Sequence, residues 1–133
     1  MGHIVSLAHT AYVVKDMKAS LDFYCGKLGM EHAFSIPNDK GEPWIEYLKV
    51  AEGQFIELFY ANGKIPKNGS YMHLCLRVDD CRAACEELKS LGVSIDSEPK
   101  QGKDFNWQCW IHDPDGNPIE LMQIVPESPQ ARA

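Results

Sequence analysis

A pattern that occurs twice constrains this chain more than any other feature of its sequence. His9-Thr-Ala-Tyr-Val-Val-Lys-Asp16 and His73-Leu-Cys-Leu-Arg-Val-Asp-Asp80 each place valine five and aspartate seven residues after a histidine. Such self-similarity marks one structural unit used twice. Apolar residues at helical spacing follow both copies: Met17, Leu21, Tyr24, Cys25 and Leu28 after the first, then Cys81, Ala84, Cys85, Leu88 and Leu91 after the second. Asp16 and Asp80 stand where N-caps accept from free N–H groups, and Gly29 and Gly92 where a helix ends in the left-handed region. Strand-like runs come next, near 30–36, 44–50 and 54–60 in the first half and near 93–97, 105–112 and 118–124 in the second. Both halves therefore read βαβββ, an α+β fold. Asp113-Pro-Asp-Gly-Asn-Pro118 is the strongest turn signal, with proline fixing φ and Gly116 free to take φ > 0.

With 133 residues, 44% of them apolar and 24% charged, the chain suits one compact domain over 1–125. Its modules are expected at about 4–61 and 70–125, with a linker at 61–70 and a flexible tail at 126–133. The net charge of −6 and the lack of a basic stripe argue against a nucleic-acid partner. No stretch reaches the roughly 20 apolar residues of a membrane span. Cys25, Cys75, Cys81, Cys85 and Cys109 are odd in number and form no C-x-x-C pair, which suits a reducing, cytoplasmic compartment. Cys81 and Cys85, four apart on one helix, read as core.

Two carboxylates stand out. A charge inside an apolar strand is costly without a partner, yet Glu57 lies within Phe55-Ile-Glu-Leu-Phe59 and Glu120 within Ile119-Glu-Leu-Met122. Glu57 follows His9 by 57 − 9 = 48 residues and Glu120 follows His73 by 120 − 73 = 47, so each half carries one histidine and one glutamate at matching places. If a pseudo-twofold brings the halves together, His9, Glu57, His73 and Glu120 offer two imidazole nitrogens and two carboxylate oxygens to one divalent ion. That mixed set suits Zn, Ni, Co, Mn or Fe(II), and without cysteine it differs from a closed structural zinc site. His3, His32 and His112 lack repeat partners and are left outside the set. Trp44, Trp107 and Trp110 read as core or cross-strand aromatics, with the lining of a substrate cavity as the alternative.

Several stretches together resemble the vicinal oxygen chelate superfamily, and within it the glyoxalase I-like proteins. They are Leu7-Ala-His-Thr, Ser20-Leu-Asp-Phe-Tyr24 through Leu28-Gly-Met30, Phe55-Ile-Glu-Leu58, Tyr71-Met-His-Leu74 and Asp113-Pro-Asp-Gly-Asn-Pro-Ile-Glu-Leu121. The resemblance covers about residues 5–125. It implies two βαβββ modules forming a cupped mixed sheet, the glyoxalase/bleomycin resistance/dihydroxybiphenyl dioxygenase fold, around a divalent metal on His9, Glu57, His73 and Glu120. It further implies a small-molecule substrate and a homodimer, with each site inside one chain or between two. Ring-cleaving relatives usually lack a ligand at the position of Glu57 and the epimerases typically carry Gln there, so Glu57 points to glyoxalase-like chemistry. There a methylglyoxal hemithioacetal loses a carbon-bound proton, the metal stabilises the enediolate, and reprotonation of the neighbouring carbon gives a lactate thioester. The resemblance makes Glu120 the base, with Glu57 the alternative. An Fe(II) dioxygenase-like enzyme and a non-catalytic binding or resistance protein of the same fold are the competing readings.

This chain departs from glutathione-using relatives in two places. Many of them carry arginine four residues after the first ligand histidine, where Val13 stands here, and often asparagine four after the first glutamate, where Ala61 precedes Asn62. In the second half Arg77 follows His73 by four, and period-two alternation puts His73, Cys75 and Arg77 on one strand face. Arg77 is expected either to pair with a nearby Asp or Glu or to hold an anionic group of the substrate.

Overall fold

The computed structural model describes residues 7–63, 65, 69, 71 and 73–133. His3, part of the expected linker 61–70 and the start of the expected first module lie outside the described residues. The chain forms two compact units, Met1–Lys67 and Asn68–Ala133.

In the first unit, β1 (His9–Val14) leads into helix α1 (Met17–Leu21), then β2 (Glu31–Pro37), β3 (Pro43–Ala51) and β4 (Gln54–Tyr60). The sheet order is β1-β4-β3-β2, with β1 parallel to β4 and the other neighbours antiparallel. In the second unit, β5 (Leu74–Arg77), α2 (Cys81–Ser90), β6 (Ser97–Gln101), β7 (Trp107–His112) and β8 (Pro118–Gln123) give the order β5-β8-β7-β6 with the same senses of pairing. The two four-stranded mixed sheets have the repeated α+β topology that the sequence pattern predicts. Among the described residues, no helix is long and apolar enough to cross a membrane.

Capping follows the sequence signals in both copies. Asp16 accepts from Ala19 N–H at 3.1 Å and Asp80 from Ala83 N–H at 3.0 Å. At the end of α2, Val93 N–H donates to Leu88 carbonyl at 2.9 Å and Gly92 N–H to Lys89 carbonyl at 3.0 Å, with Gly92 at φ +82°. This is the paired bonding of a Schellman ending. It consumes residues 91–93, so the strand expected at 93–97 begins instead at Ser97, just after Asp96 N–H reaches Trp110 carbonyl at 2.8 Å. The first helix departs further from its expected 3.6 period. Beyond Leu21 it widens into a π-helical segment, Asp22–Lys27, closed by Leu28 N–H to Phe23 carbonyl at 2.9 Å and Met30 N–H to Tyr24 carbonyl at 3.0 Å. Tyr24 is buried there, whereas Cys25 turns partly outward.

Each sheet buries its own apolar face. Val14, Tyr24, Leu48, Ile56 and Leu58 are buried in the first unit, and Cys81, Cys85, Cys109, Ile111 and Ile119 in the second. Fully burying one such aliphatic side chain contributes about 1.5–3 kcal/mol. The predicted turn is built around buried Asp113, whose Oδ1 accepts from Asp115 N–H at 2.9 Å and Asn117 N–H at 2.8 Å, while Gly116 takes φ +82°. Within the expected tail, Pro129–Arg132 form helix α3, capped by buried Ser128. Asn106 donates to Gln130 at 3.3 Å and accepts from Val125 N–H at 3.0 Å, which ties this segment to the start of β7.

Candidate functional site

Each unit brings its own histidine and glutamate together. In the first, His9 opens β1 opposite Phe55 and Glu57 lies two residues farther along β4, so the two side chains are diagonal neighbours across the parallel pair. His9 Nε2 stands 3.1 Å from Glu57 Oε2. In the second, His73 directly precedes β5 and Glu120 occupies the matching place on β8; Nε2 and Oε2 are again 3.1 Å apart. Glu57 and Glu120 are only 8% and 6% exposed, so each is a buried carboxylate whose charge needs a partner. The imidazoles, at 39% and 32% side-chain exposure, still reach solvent. This combination sets an imidazole nitrogen and a carboxylate oxygen side by side at an accessible point.

The surroundings of the two glutamates differ. The Tyr47 hydroxyl donates to Glu57 Oε1. That hydrogen bond, followed by desolvation and the Glu57 charge, raises the Tyr47 phenol above its ordinary pKa. The residue across the ladder from Glu120 is Trp110, whose Nε1–H donates to Gln108 Oε1 at 3.0 Å and whose ring meets His73 edge-on at 4.9 Å. Beside Glu120 lies Cys75, its parallel-ladder neighbour. Desolvation, then the charge and hydrogen bonding of Glu120, hold that thiol well above its usual range.

Arg77 ends β5 and is exposed, in the same alternation as His73 and Cys75. No described carboxylate pairs with it, so the salt bridge expected as one alternative is absent among the described residues. The two other described histidines do find carboxylates. His112 Nδ1 lies 2.8 Å from Asp96, and His32 Nε2 lies 2.6 Å from Glu46. Ser35 and Tyr60 also donate to Glu46, Tyr60 at 2.9 Å. Desolvation pushes the Glu46 carboxyl up, but these bonds from Ser35, His32 and Tyr60 outweigh it and leave its pKa below the ordinary value. Trp107 lies under the Arg82 guanidinium at 4.4 Å, and Trp44 meets Phe59 edge-on at 5.9 Å. All three tryptophans thus have cross-strand or cation–π roles.

Within neither unit do three or more described His, Cys, Asp or Glu side chains cluster closely enough to hold a metal. Each unit supplies two donors. Imidazole nitrogen beside carboxylate oxygen is a donor set that suits a divalent transition ion, and a buried carboxylate facing a half-exposed imidazole is already deprived of the water that would compete for its lone pairs.

Alternation along the strand already puts Cys75 on the face of His73, whereas Tyr47 is a site neighbour that the sequence does not single out. Its only signal is cross-strand register, which places it directly opposite Glu57, as the parallel ladder places Cys75 beside Glu120.

Comparison with known proteins gives a consistent result. Residues 6–121 match the family model for the Glyoxalase/Bleomycin resistance protein/Dioxygenase superfamily. The chain is 32% identical over 123 residues to a probable lactoylglutathione lyase of Synechocystis sp., covering 88% of this chain and 94% of that protein. It is likewise 32% identical to the lactoylglutathione lyase of Escherichia coli O157:H7, covering 88% and 91%. Among solved structures it is similar to TnmS3, an antibiotic binding protein from Streptomyces sp. CB03234, at 27% identity and a TM-score of 0.77, covering 94% of this chain and 100% of that one.

Proposed function

The chain belongs to the Glyoxalase/Bleomycin resistance protein/Dioxygenase superfamily, and from that membership we propose a divalent-metal-dependent lyase or isomerase of glyoxalase I type. On this reading residues 1–125 are one domain, and His9, Glu57, His73 and Glu120 are the ligands of one ion, supplied within one chain or between two. The observation that carries this reading is the pair of repeat-related His–Glu contacts, each 3.1 Å between Nε2 and Oε2. Two donors per unit are too few for an open catalytic site, which takes about three protein ligands; the two pairs together suffice.

A divalent ion bound to these donors would hold negative charge developing on a substrate oxygen, so that a proton on the adjacent carbon becomes acidic enough to remove. The chain supplies the rest. Glu120 takes that proton and returns it to the neighbouring carbon, acting as base and then acid. Glu57 keeps its place as a ligand. His9 and His73 offer Nε2 as the nitrogen ligands. The exposed Arg77, four residues beyond His73, holds a carboxylate or phosphate of a small oxygenated substrate. Val13 at the corresponding place in the first half removes one handle for glutathione, which favours a different thiol adduct or a keto sugar. The protein acts in this way as a cytoplasmic homodimer.

The test is metal analysis of the purified protein combined with a screen of methylglyoxal–thiol adducts and keto sugars, run under argon and in air. A stoichiometric divalent ion with equal turnover in both atmospheres is the expected result. Oxygen consumption would instead assign a dioxygenase-like reaction. The similarity to an antibiotic binding protein supports a second reading, sequestration without turnover. A compound that raises the melting temperature and is recovered unchanged would favour it.

A further inference from the structure

Tyr47 and Trp110 occupy equivalent places in the two sheets. Each stands directly across an antiparallel ladder from a site glutamate, Tyr47 from Glu57 and Trp110 from Glu120. Each ring also meets the histidine of its own pair edge-on, at 6.0 Å and 72° for Tyr47 on His9 and at 4.9 Å and 78° for Trp110 on His73. Their polar atoms diverge. The Tyr47 hydroxyl donates to Glu57 Oε1, which leaves Oε2, the oxygen 3.1 Å from His9 Nε2, to face the site. The Trp110 N–H is spent on Gln108. Among the described residues, Glu120 has His73 on Oε2 and the neighbouring Cys75 thiol, a weak donor.

The tyrosine ring is itself fixed. It stacks on Phe34 with centroids 4.4 Å apart and planes 17° from parallel, and it meets Phe55 edge-on at 6.2 Å. A ring packed in this way delivers its hydroxyl to one place with little rotamer freedom left to lose. A carboxylate tied at one oxygen presents the other in a constant direction, as a standing ligand requires. A carboxylate that must swing to accept a proton cannot be pinned in this way.

The geometry points to Tyr47 as a positioning residue that pins Glu57 as the standing ligand and so leaves the mobile role to the less firmly held Glu120. The inference rests on the metal-binding reading above and extends it by dividing the work of the two carboxylates through a residue outside the donor set.

The experiment measures Co(II) affinity of the full-length protein by competition with a chromophoric chelator. Tyr47→Phe keeps the stacked ring and removes only the hydroxyl; it should weaken Co(II) binding about tenfold, the lower end of what loss of a ligand's hydrogen-bond partner costs. Tyr60→Phe is the control, because it removes an equivalent phenol–carboxylate bond, that to Glu46 at 2.9 Å, and should leave Co(II) affinity unchanged. Combining Tyr47→Phe with Glu57→Gln should cost no more than Glu57→Gln alone, since the phenol acts only through Glu57. Combining it with Glu120→Gln should multiply the two losses. A Tyr47→Phe protein that binds Co(II) as tightly as the parent would overturn the inference, as would equal losses from Tyr47→Phe and Tyr60→Phe. If the parent itself binds no Co(II), the metal reading falls and takes this one with it, an outcome distinct from the other two.

Discussion

The two units share a sheet order and differ in what they bury at matching positions. Glu46 on β3 and Cys109 on β7 each lie opposite a leucine of the adjacent strand, Leu58 and Leu121. The first unit surrounds its buried carboxylate with His32, Ser35 and Tyr60. The second surrounds its buried thiol with Cys81 and Cys85, and desolvation, followed by these two thiols, pushes the Cys109 thiol far up, so that it stays protonated. One backbone topology thus accepts a polar network or a nearly apolar cluster at the same place, provided each is satisfied on its own terms. The His–Glu pair does not vary in this way: its donor atoms meet at 3.1 Å in both units. Variation at the core position beside sameness at the pair supports a functional rather than a packing reason for the pair.

Substitution of the glutamates should give the largest effects. Glu120→Gln should lower turnover roughly 100- to 10,000-fold, as expected for loss of a general base, while retaining more metal than Glu57→Gln. Steady-state kinetics and metal content measured on the same samples check this. Stoichiometric metal and full activity in both variants would remove the functional reason for the two pairs and the four-donor centre with it.

Next comes the arginine that one unit has and the other lacks, Arg77 where the first unit has Val13. Arg77→Ala should cost about 2–3 kcal/mol of transition-state stabilisation for an anionic substrate and little for a neutral analogue, whereas Val13→Ala should distinguish the two substrates hardly at all. The comparison rests on kcat/KM for each substrate. Equal losses for both substrates in the Arg77 variant would assign that residue to the scaffold.

The core position should follow. Glu46→Gln leaves the donors around Glu46 imperfectly matched and should destabilise the protein by about 1–3 kcal/mol at neutral pH. Cys109→Ser, which adds a stronger hydrogen-bonding group among thiols, should cost about as much. Urea unfolding of both variants is the check, and a neutral Glu46→Gln would remove the contrast between the two cores.

The smallest effect concerns acid. Because the folded pKa of Glu46 lies below its ordinary value of 4.5, its contribution to stability is fully present above that value and is lost as pH falls through it toward the folded pKa. The parent should therefore lose stability more steeply than Glu46→Gln below about pH 4.5. Parallel stability–pH curves would show that the network around Glu46 contributes nothing to acid sensitivity.

Much of this was legible in the residues themselves. The repeat, both N-caps, the glycine-terminated helices, the Asp113 turn and the two carboxylates out of place in apolar strands are all local signals, written in spacing and residue type. The π-helical segment Asp22–Lys27 was not, because its apolar residues fit a 3.6 period well enough to mask the wider turn. The start of β6 slipped because the Schellman bonds at Gly92 and Val93 claim residues that otherwise suit a strand.

The sequence by itself determined that the chain would build one βαβββ unit twice and that each copy would carry one histidine and one glutamate at matching places. Only the tertiary structure decided that Tyr47 stands opposite Glu57, that Cys75 lies beside Glu120, and that His32, Ser35 and Tyr60 gather on Glu46. The reason is physical: period-two alternation fixes which face a side chain takes, while its neighbour across the sheet is set by strand order and register. Those depend on how the whole unit buries its apolar face.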